Sequence, residues 1–259
     1  MIPVEEIKEI ARRIGVPEST IERDYAQGWL LAHLTSYIDM ALKGGTGIRK
    51  VYLDGYRFSD DLDFTLLDEY GIDDVEARVK NAIGAAKRES GIDFEEEIIV
   101  EETESGYQVS TYFRFLRRTG SPLRIKLDLT RKENEIVLLP LEKRMIIHSY
   151  TDIVENKVLS YSLTEVFAEK IRALFERTRP RDLYDVWRLS ELDLDVSEII
   201  HDKFDFRDVT PDIDDLHDRR EDFGNAWENS LRHQLEDLPV FDEVFEDVVV
   251  FLKDISDGV

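Results

Sequence analysis

Cysteine is absent from the 259 residues of this sequence. That absence excludes disulfides, thiolate zinc sites and cysteine nucleophiles together. The five histidines show neither HxH nor HExxH spacing, which argues against a histidine zinc site. No apolar run approaches the roughly 20 residues that a membrane-spanning helix needs, and the N-terminal residues lack a signal-peptide core. We therefore expect a soluble, cytoplasmic protein with no membrane association.

Positive charge is also scarce in this chain. Lys and Arg total 34 against 57 Asp and Glu, so the formal net charge is −23. A broad basic footprint for nucleic acid is therefore not expected, and any RNA contact has to be local. Hydrophobic residues make up 42% of the chain, which is enough to build the core of one large domain or two modest ones.

The N-terminal third predicts two helices followed by a strand. A short helix is expected first, then a break at residues 15–17, then a longer helix that reaches Gly44 and has Ser19 and Thr20 as candidate caps. Apolar and polar residues then alternate over about 61–66, which predicts a strand, and a helix follows over about 72–89.

Four β-rich runs come next, and helices dominate after residue 153. The runs are EEEIIVEE, YQVSTYFRFL, PLRIKLDL and EIVLLP. In the C-terminal part only VFEDVVVFL is ambiguous between strand and helix. This order predicts an α+β fold, with a mixed sheet and packed helices over residues 1–153 and a helical domain over residues 154–259.

The stretch RFSDDLDF places two carboxylates on one face of the predicted strand. Residues two apart on a strand point the same way with Cα atoms about 6.5 to 7 Å apart, so Asp61 and Asp63 face one side and Leu62 and Phe64 the other. Such a pair suits Mg²⁺, which is held by one or two carboxylates and substrate phosphates. A polar strand face is the alternative reading. Asp60 points the opposite way and is expected to cap or to be solvated.

A third carboxylate lies on another predicted strand. In PLRIKLDL, Asp128 stands on the polar face, and a neighbouring strand would bring it beside Asp61 and Asp63. Three carboxylates across two strands are typical of two-metal phosphoryl or nucleotidyl transfer. An ordinary edge-strand charge is the alternative for Asp128.

Three glycines around Thr46 lie between the long helix and the acidic strand. Gly44, Gly45 and Gly47 allow backbone amides and a hydroxyl to approach a phosphate closely. A helix C-cap followed by a plain turn is the alternative, and it explains one glycine better than three. The stretch matches neither the P-loop nor the Rossmann motif.

Lys170 falls at the edge of an apolar helix stripe. The spacing of Ser162 and Glu165 is that of a capping box and predicts that the helix begins there. The lysine either extends to the rim of the protein or points into a cleft, where its ammonium would offset phosphate charge.

A cluster of arginines precedes two aspartates in the stretch RTRPRDLYD. Arg177, Arg179 and Arg181 suit bidentate phosphate binding, or they pair with Asp182 and Asp185 and fix two helices.

The chain resembles the AbiEii/AbiGii nucleotidyltransferase toxin family, a branch of the polymerase-β-like nucleotidyltransferase superfamily. The matching stretches, in the expected order over residues 20–190, are IERDYAQGWLLAHL, KGGTGIRKVY, RFSDDLDF, RIKLDL and EVFAEKIRALFERTRPRDLYDVW. One departure is Thr46, because the superfamily commonly has serine after the glycine, although the hydroxyl is kept.

The resemblance implies a polymerase-β-like fold and three sets of site residues. The nucleotide-binding set is Gly44, Gly45, Thr46, Arg49, Ser59 and Lys170. The ligands for Mg²⁺ or Mn²⁺ are Asp61, Asp63 and Asp128. The catalytic set is Asp61, Asp63, Asp128, Lys170 and an aspartate of RDLYD, either Asp182 or Asp185.

The implied activity is metal-dependent transfer of a nucleoside monophosphate from an NTP to an acceptor hydroxyl. Family members are toxins of toxin–antitoxin or phage-defence pairs, which implies a cognate antitoxin encoded nearby and the tRNA 3′ end as a possible acceptor. Two alternatives stay open from the sequence. One is a small-molecule or antibiotic nucleotidyltransferase, and the other is a non-catalytic protein that binds a metal or a partner.

Overall fold

The computed structural model describes residues 1–116 and 119–257, which form two units. The first unit comprises Met1–Glu135 and Pro140–Tyr161, and the second comprises Ile136–Leu139 and Ser162–Val259. Residues 258–259 of the predicted helical domain lie outside the described residues. No helix in the described part of the chain combines the length and the apolar character that crossing a bilayer requires.

The first unit contains a mixed sheet with helices. Its helices and strands, in chain order, are α1 (Val4–Ile14), α2 (Glu18–Tyr37), β1 (Met40–Lys43), α3 (Gly44–Gly47), β2 (Asp61–Leu66), α4 (Ile72–Ser90), β3 (Asp93–Phe94), β4 (Ile99–Thr103), β5 (Gly106–Arg114), β6 (Leu123–Thr130), β7 (Glu142–Met145) and β8 (Lys157–Ser160). A π-helical turn over Ile48–Tyr52 continues α3.

The strand order in the described residues is β3-β5-β6-β2-β1-β8-β7, and β4 pairs with β5 as well. The pairs β2–β6 and β1–β8 are parallel, whereas β1–β2, β5–β6 and β7–β8 are antiparallel. The prediction of a mixed sheet with packed helices is therefore confirmed.

The break between the first two helices is confirmed, but the predicted caps are wrong. Gly15 ends α1 with φ +75° in the left-handed region, where glycine carries no Cβ penalty. Pro17 then occupies the N-cap position of α2, so Ser19 and Thr20 lie inside the first turn. Proline lacks an N–H and is tolerated only at a helix start, so α2 begins directly after it.

Several strand assignments differ from the sequence expectation. The short strands β3, β7 and β8 were not expected, and β8 lies after residue 153, where helices were expected. The long helix stops at Tyr37, and Met40–Lys43 forms β1, because α2 is followed by an extended residue at Ile38. The apolar run EIVLLP is not a strand. The backbone amides of Leu138 and Leu139 instead donate to the Glu165 carboxylate at 3.0 and 2.6 Å, and Lys203 pairs with the same carboxylate at 2.6 Å. A buried charged group therefore satisfies this backbone in place of a neighbouring strand.

The second unit is helical in the described residues, as expected. Its helices are α5 (Leu163–Glu176), α6 (Pro180–Ser190), α7 (Ile200–Phe206), α8 (Ile213–Asp218), α9 (Arg220–Leu231) and α10 (Phe241–Asp257). The predicted cap of α5 is confirmed, because Ser162 Oγ accepts a hydrogen bond from the Glu165 amide at 3.1 Å. The ambiguous run VFEDVVVFL lies within α10.

Candidate functional site

Strands β2 and β6 are parallel neighbours, and their register aligns the acidic residues. Asp63 is the Cα partner of Asp128, and Asp61 is the partner of Lys126. Paired residues of adjacent strands share a face, so Asp61, Asp63 and Asp128 project from the same side of the sheet. The structure therefore brings together the three carboxylates that the sequence singled out on separate strands.

The opposite face of β2 belongs to the hydrophobic core. Leu62 and Phe64 are fully buried, whereas Asp61 and Asp63 between them are half-buried. Lys126 and Asp128 on β6 are half-buried in the same way. The strand alternation thus produces one apolar face that anchors the strand and one charged face that solvent reaches.

Lys126 is a member of this charged face that the sequence reasoning missed. Its ammonium lies 2.7 Å from Asp128 Oδ2 and 3.8 Å from Asp61 Oδ2. The available signal was the spacing of two between Lys126 and Asp128, which puts both side chains on one face of the strand. That the ammonium also approaches Asp61 depends on strand pairing.

The glycine turn lies directly against Asp63. Gly44 has φ +68°, and a Cβ at that position would be 2.5 Å from Asp63 Oδ2. A Cβ on Gly45 would be 2.7 Å from a guanidinium nitrogen of Arg57 and 3.2 Å from Ser59 Oγ. A Cβ at either position would therefore displace a neighbouring side chain, and at Gly44 the positive φ disfavours a side chain as well.

Thr46 connects this turn to the acidic strand. Its hydroxyl donates to the backbone carbonyl of Asp61 at 2.5 Å, and the residue is 1% exposed. The sequence suggested that this hydroxyl approaches a phosphate. In the structure it fixes the turn beside the first metal-ligand candidate.

Arg49 is held in a buried charge network. Its Nε donates to Asp24 Oδ1 at 2.7 Å, a second nitrogen donates to the Tyr56 carbonyl, and the guanidinium lies 3.7 Å from the centre of the Phe58 ring. Lys50 pairs with the same aspartate at 2.7 Å. Burial alone would raise the pKa of Asp24, but the two cations outweigh it and hold that pKa well below the ordinary value. These contacts join the glycine segment to α2, and the predicted nucleotide contact of Arg49 stays a prediction.

The site residues predicted in the second unit form their own buried cluster. Lys170 Nζ lies 2.7 Å from Asp182 Oδ1 and 2.8 Å from Asp185 Oδ2. Arg177 Nε donates to Asp182 Oδ2 at 2.8 Å. Of the two roles considered for the three arginines, phosphate binding or pairing with the aspartates, Arg177 therefore has the second. Burial raises the pKa of Asp182, and the nearby Lys170 and Arg177 lower it further than burial raises it, so the net pKa is below its ordinary range.

The donor chemistry of the first unit suits a hard divalent cation. Carboxylate oxygens are the ligands that Mg²⁺ prefers, and three carboxylates share one half-open face. Among residues 1–116 and 119–257, however, no three ligating side chains converge in metal-binding geometry. The Lys126 ammonium lies between two of the carboxylates instead. The residues therefore fit the ion in the kind of ligand they offer and in sharing one face of the sheet, and cation binding would require their side chains to move closer together.

Comparison with known proteins gives one family match and several similar folds. The family described as "Nucleotidyl transferase AbiEii toxin, Type IV TA system" matches residues 29–247. No curated protein sequence matches the chain. The nucleotidyltransferase toxin MenT4 from Mycobacterium tuberculosis H37Rv is similar in structure, with a TM-score of 0.66 and 23% identity over 96% of this chain and 89% of that one. JHP933 from Helicobacter pylori has a TM-score of 0.56 and 19% identity, with 94% of each chain covered. At these identities the two structures show a shared fold.

Proposed function

The chain belongs to the AbiEii nucleotidyltransferase toxin family of type IV toxin–antitoxin systems, and from that premise we propose that it moves a nucleoside monophosphate from an NTP to an acceptor hydroxyl with the help of Mg²⁺. It is a nucleotidyltransferase by family membership. The proposal adds the metal, the acceptor and the residues that act in the reaction.

One observation carries the proposal. Asp61, Asp63 and Asp128 share a face of two paired strands, and the Gly44 turn lies against Asp63. Because Gly44 and Gly45 have no side chains, a triphosphate can approach the backbone amides of this turn beside the carboxylate face. This arrangement supports nucleotidyl transfer over a plain polar strand face.

Asp61 and Asp63 hold the divalent cation in this proposal, with Asp128 as a third ligand. When bound, Mg²⁺ or Mn²⁺ offsets the negative charge that develops on the phosphate oxygens. Asp128 also accepts a hydrogen bond from the acceptor hydroxyl and orients its oxygen. That oxygen passes its proton to the Asp128 carboxylate and bonds to the α-phosphorus, the bond from the α-phosphorus to the bridging oxygen breaks, and pyrophosphate leaves.

The proposed nucleotide-binding residues follow the family's motifs. Gly44, Gly45 and Thr46 approach the triphosphate, with Ser59 and Arg49 supporting the turn. In the second unit, Lys170 offsets phosphate charge, and Asp182 and Asp185 hold its ammonium in place. Each of these roles is assigned by the residue's position in its motif.

The family also supports a biological setting. We propose that the enzyme acts in the cytoplasm as the toxin of a phage-defence pair and that a neighbouring gene encodes its antitoxin. The proposed acceptor is the 3′ end of tRNA. Because the net charge is −23, contact with tRNA has to be limited to a small region near the site.

A transfer assay with defined acceptors tests this function. The protein is incubated with Mg²⁺, each labelled NTP in turn, and either purified tRNA or a panel of aminoglycosides and sugars. We expect label on intact tRNA and none on tRNA whose terminal diol has been oxidised with periodate, because that treatment removes the acceptor hydroxyls. Label on small acceptors alone would contradict the tRNA proposal, and no transfer to any acceptor would contradict the enzymatic one.

Gly44→Ala is expected to reduce transfer about 100-fold, because a small displacement of a reacting group has that effect. The new Cβ would lie 2.5 Å from Asp63 Oδ2 and push that carboxylate aside. Gly55→Ala is a matched control, since Gly55 has φ +76° and a Cβ there would have no neighbouring atom within 4 Å. Both variants should lose about 1 kcal/mol of stability from backbone strain. Equal transfer by the two variants would show that the contact with Asp63 does not matter.

A further inference from the structure

Lys126 lies among the carboxylates of the first unit, in the stretch RIKLDL that also carries Asp128, although it is neither a proposed metal ligand nor a proposed nucleotide-binding residue. It is the register partner of Asp61 on the adjacent strand and precedes Asp128 by two residues. Its ammonium is 2.7 Å from Asp128 Oδ2 and 3.8 Å from Asp61 Oδ2. The lysine side chain is 22% exposed and the two aspartates are 38% and 28% exposed. One cation of the chain therefore contacts two of the three proposed metal ligands.

Charge repulsion explains why a lysine belongs at this place. Three carboxylates on one sheet face repel each other when no cation is bound, and like charges on paired strands destabilise the sheet. An ammonium between two of them relieves that repulsion. It also engages the oxygen atoms that a divalent cation would take as ligands.

We propose that Lys126 is a positioning residue, whose ammonium holds Asp61 and Asp128 in place before the divalent cation binds and withdraws from them when it does. This inference rests on the proposed function, because it assumes that these carboxylates ligate the cation. An ammonium and a divalent cation cannot share the same carboxylate oxygens without strong repulsion. Lys126 therefore weakens cation binding, although it holds the side chains of Asp61 and Asp128 in place when no cation is bound.

An ordinary cross-strand salt bridge is the competing explanation. Such a bridge would stabilise the sheet equally with and without the cation, since it would not have to break. In the proposed role, the divalent cation binds only when the Lys126 ammonium leaves the aspartates. Removing the ammonium therefore has to change the affinity for the cation.

Lys126→Gln tests this coupling without any nucleotide or acceptor. Binding of Mn²⁺ is measured by the paramagnetic resonance signal of the free ion. We expect Mn²⁺ to bind about fivefold more tightly to Lys126→Gln than to the unmodified protein, as the removal of one half-exposed charge next to the ligands implies. Lys126→Arg keeps the charge and should bind Mn²⁺ as the unmodified protein does.

Lys80→Gln is the matched control for charge. Lys80 pairs with Glu76 at 2.6 Å on α4, so its loss removes the same charge and an ion pair elsewhere in the same unit. It should leave Mn²⁺ affinity unchanged. Equal or weaker Mn²⁺ binding by Lys126→Gln, or an equal gain in Lys80→Gln, overturns the proposal.

Thermal unfolding gives a second readout, because a purely structural bridge would raise the melting temperature by the same amount with and without the cation. Lys126→Gln should melt at a lower temperature than the unmodified protein in chelator, and the difference should disappear with saturating Mg²⁺. A difference that persists unchanged with Mg²⁺ overturns the proposal. If the unmodified protein itself binds no Mn²⁺, the metal site of the proposed function fails too. If it binds Mn²⁺ and Lys126→Gln matches it, only the role of Lys126 fails.

Discussion

Asp63→Asn is expected to lower nucleotidyl transfer by about a thousandfold or more. A bound metal ion contributes several kcal/mol to stabilising the charge of the transition state, and each 1.4 kcal/mol is about a factor of ten in rate. Asparagine keeps the shape of the side chain but removes the charge that holds the ion. The strand should remain folded, because Leu62 and Phe64 on its other face stay buried. Transfer from a labelled NTP, with circular dichroism to monitor the fold, measures the effect.

Asp60→Asn is the matched control for this variant. Asp60 precedes the acidic strand and pairs with Arg23 of α2 at 2.7 Å, so the same chemical change occurs three residues away and outside the proposed site. Transfer should persist in Asp60→Asn. If transfer falls by a similar factor in both variants, the cause is a general effect of charge. Full transfer activity in Asp63→Asn would contradict the proposed role of the carboxylates.

Lys170→Met is expected to reduce the free energy of unfolding by about 3–5 kcal/mol, the usual cost of removing one partner from a buried ion pair. The variant leaves Asp182 and Asp185 with side chains 3% and 0% exposed and without the ammonium that lies 2.7 and 2.8 Å from them. Arg177, which pairs with Asp182 at 2.8 Å, is only a partial substitute for the ammonium, because its own side chain is 43% exposed. Urea unfolding followed by tryptophan fluorescence measures the loss, because Trp187 and Trp227 lie in the second unit.

The pH dependence of this loss has a defined sign. In the unmodified protein the pKa of Asp182 is depressed, so its stabilising contribution is present at neutral pH and is lost as pH falls below the ordinary carboxyl pKa. Without the ammonium, burial raises the pKa of Asp182, and protonation then relieves the buried charge. The stability difference should therefore be largest at neutral pH and shrink below about pH 5.

Two further variants serve as controls. One tests whether the loss of any lysine lowers stability, and the other tests whether the buried aspartate charges cause the loss. Lys253→Met removes an exposed lysine from α10 and should change stability by less than about 0.5 kcal/mol. Lys170→Met combined with Asp182→Asn and Asp185→Asn removes the buried charges together and should recover part of the loss. A Lys170→Met variant as stable as the Lys253→Met variant would mean that the cluster is not a buried ion network in solution.

The acidic strand and its carboxylate face were accessible from the sequence, because a period of two assigns side chains to opposite faces regardless of what the strand packs against. The same local reasoning identified the cap at Ser162, because its partner Glu165 is only three positions further along the chain. It failed for Met40–Lys43, which is too short for a periodic signal. It also failed for EIVLLP, whose apolar composition concealed that the Glu165 carboxylate accepts hydrogen bonds from two of its amides.

The two aspartates of RDLYD could not be separated from the sequence, and the structure gives the reason. Asp182 and Asp185 lie one turn apart on α6, and both carboxylates contact the same ammonium. Their spacing in the sequence shows that they share a helix face, but not which of them pairs with a cation. In the structure both aspartates pair with Lys170.

The sequence by itself determined the composition that excludes thiol chemistry, the faces of the strands, the helical C-terminal half and the resemblance to the family. Only the tertiary structure decided that β6 lies parallel to β2, that Asp63 is opposite Asp128, that Gly44 lies against Asp63 and that Lys126 lies between two aspartates. The reason is physical. Side-chain periodicity and capping are set by residues within a few positions of each other, whereas the choice of a strand's neighbour depends on pairing and burial between segments more than 50 residues apart.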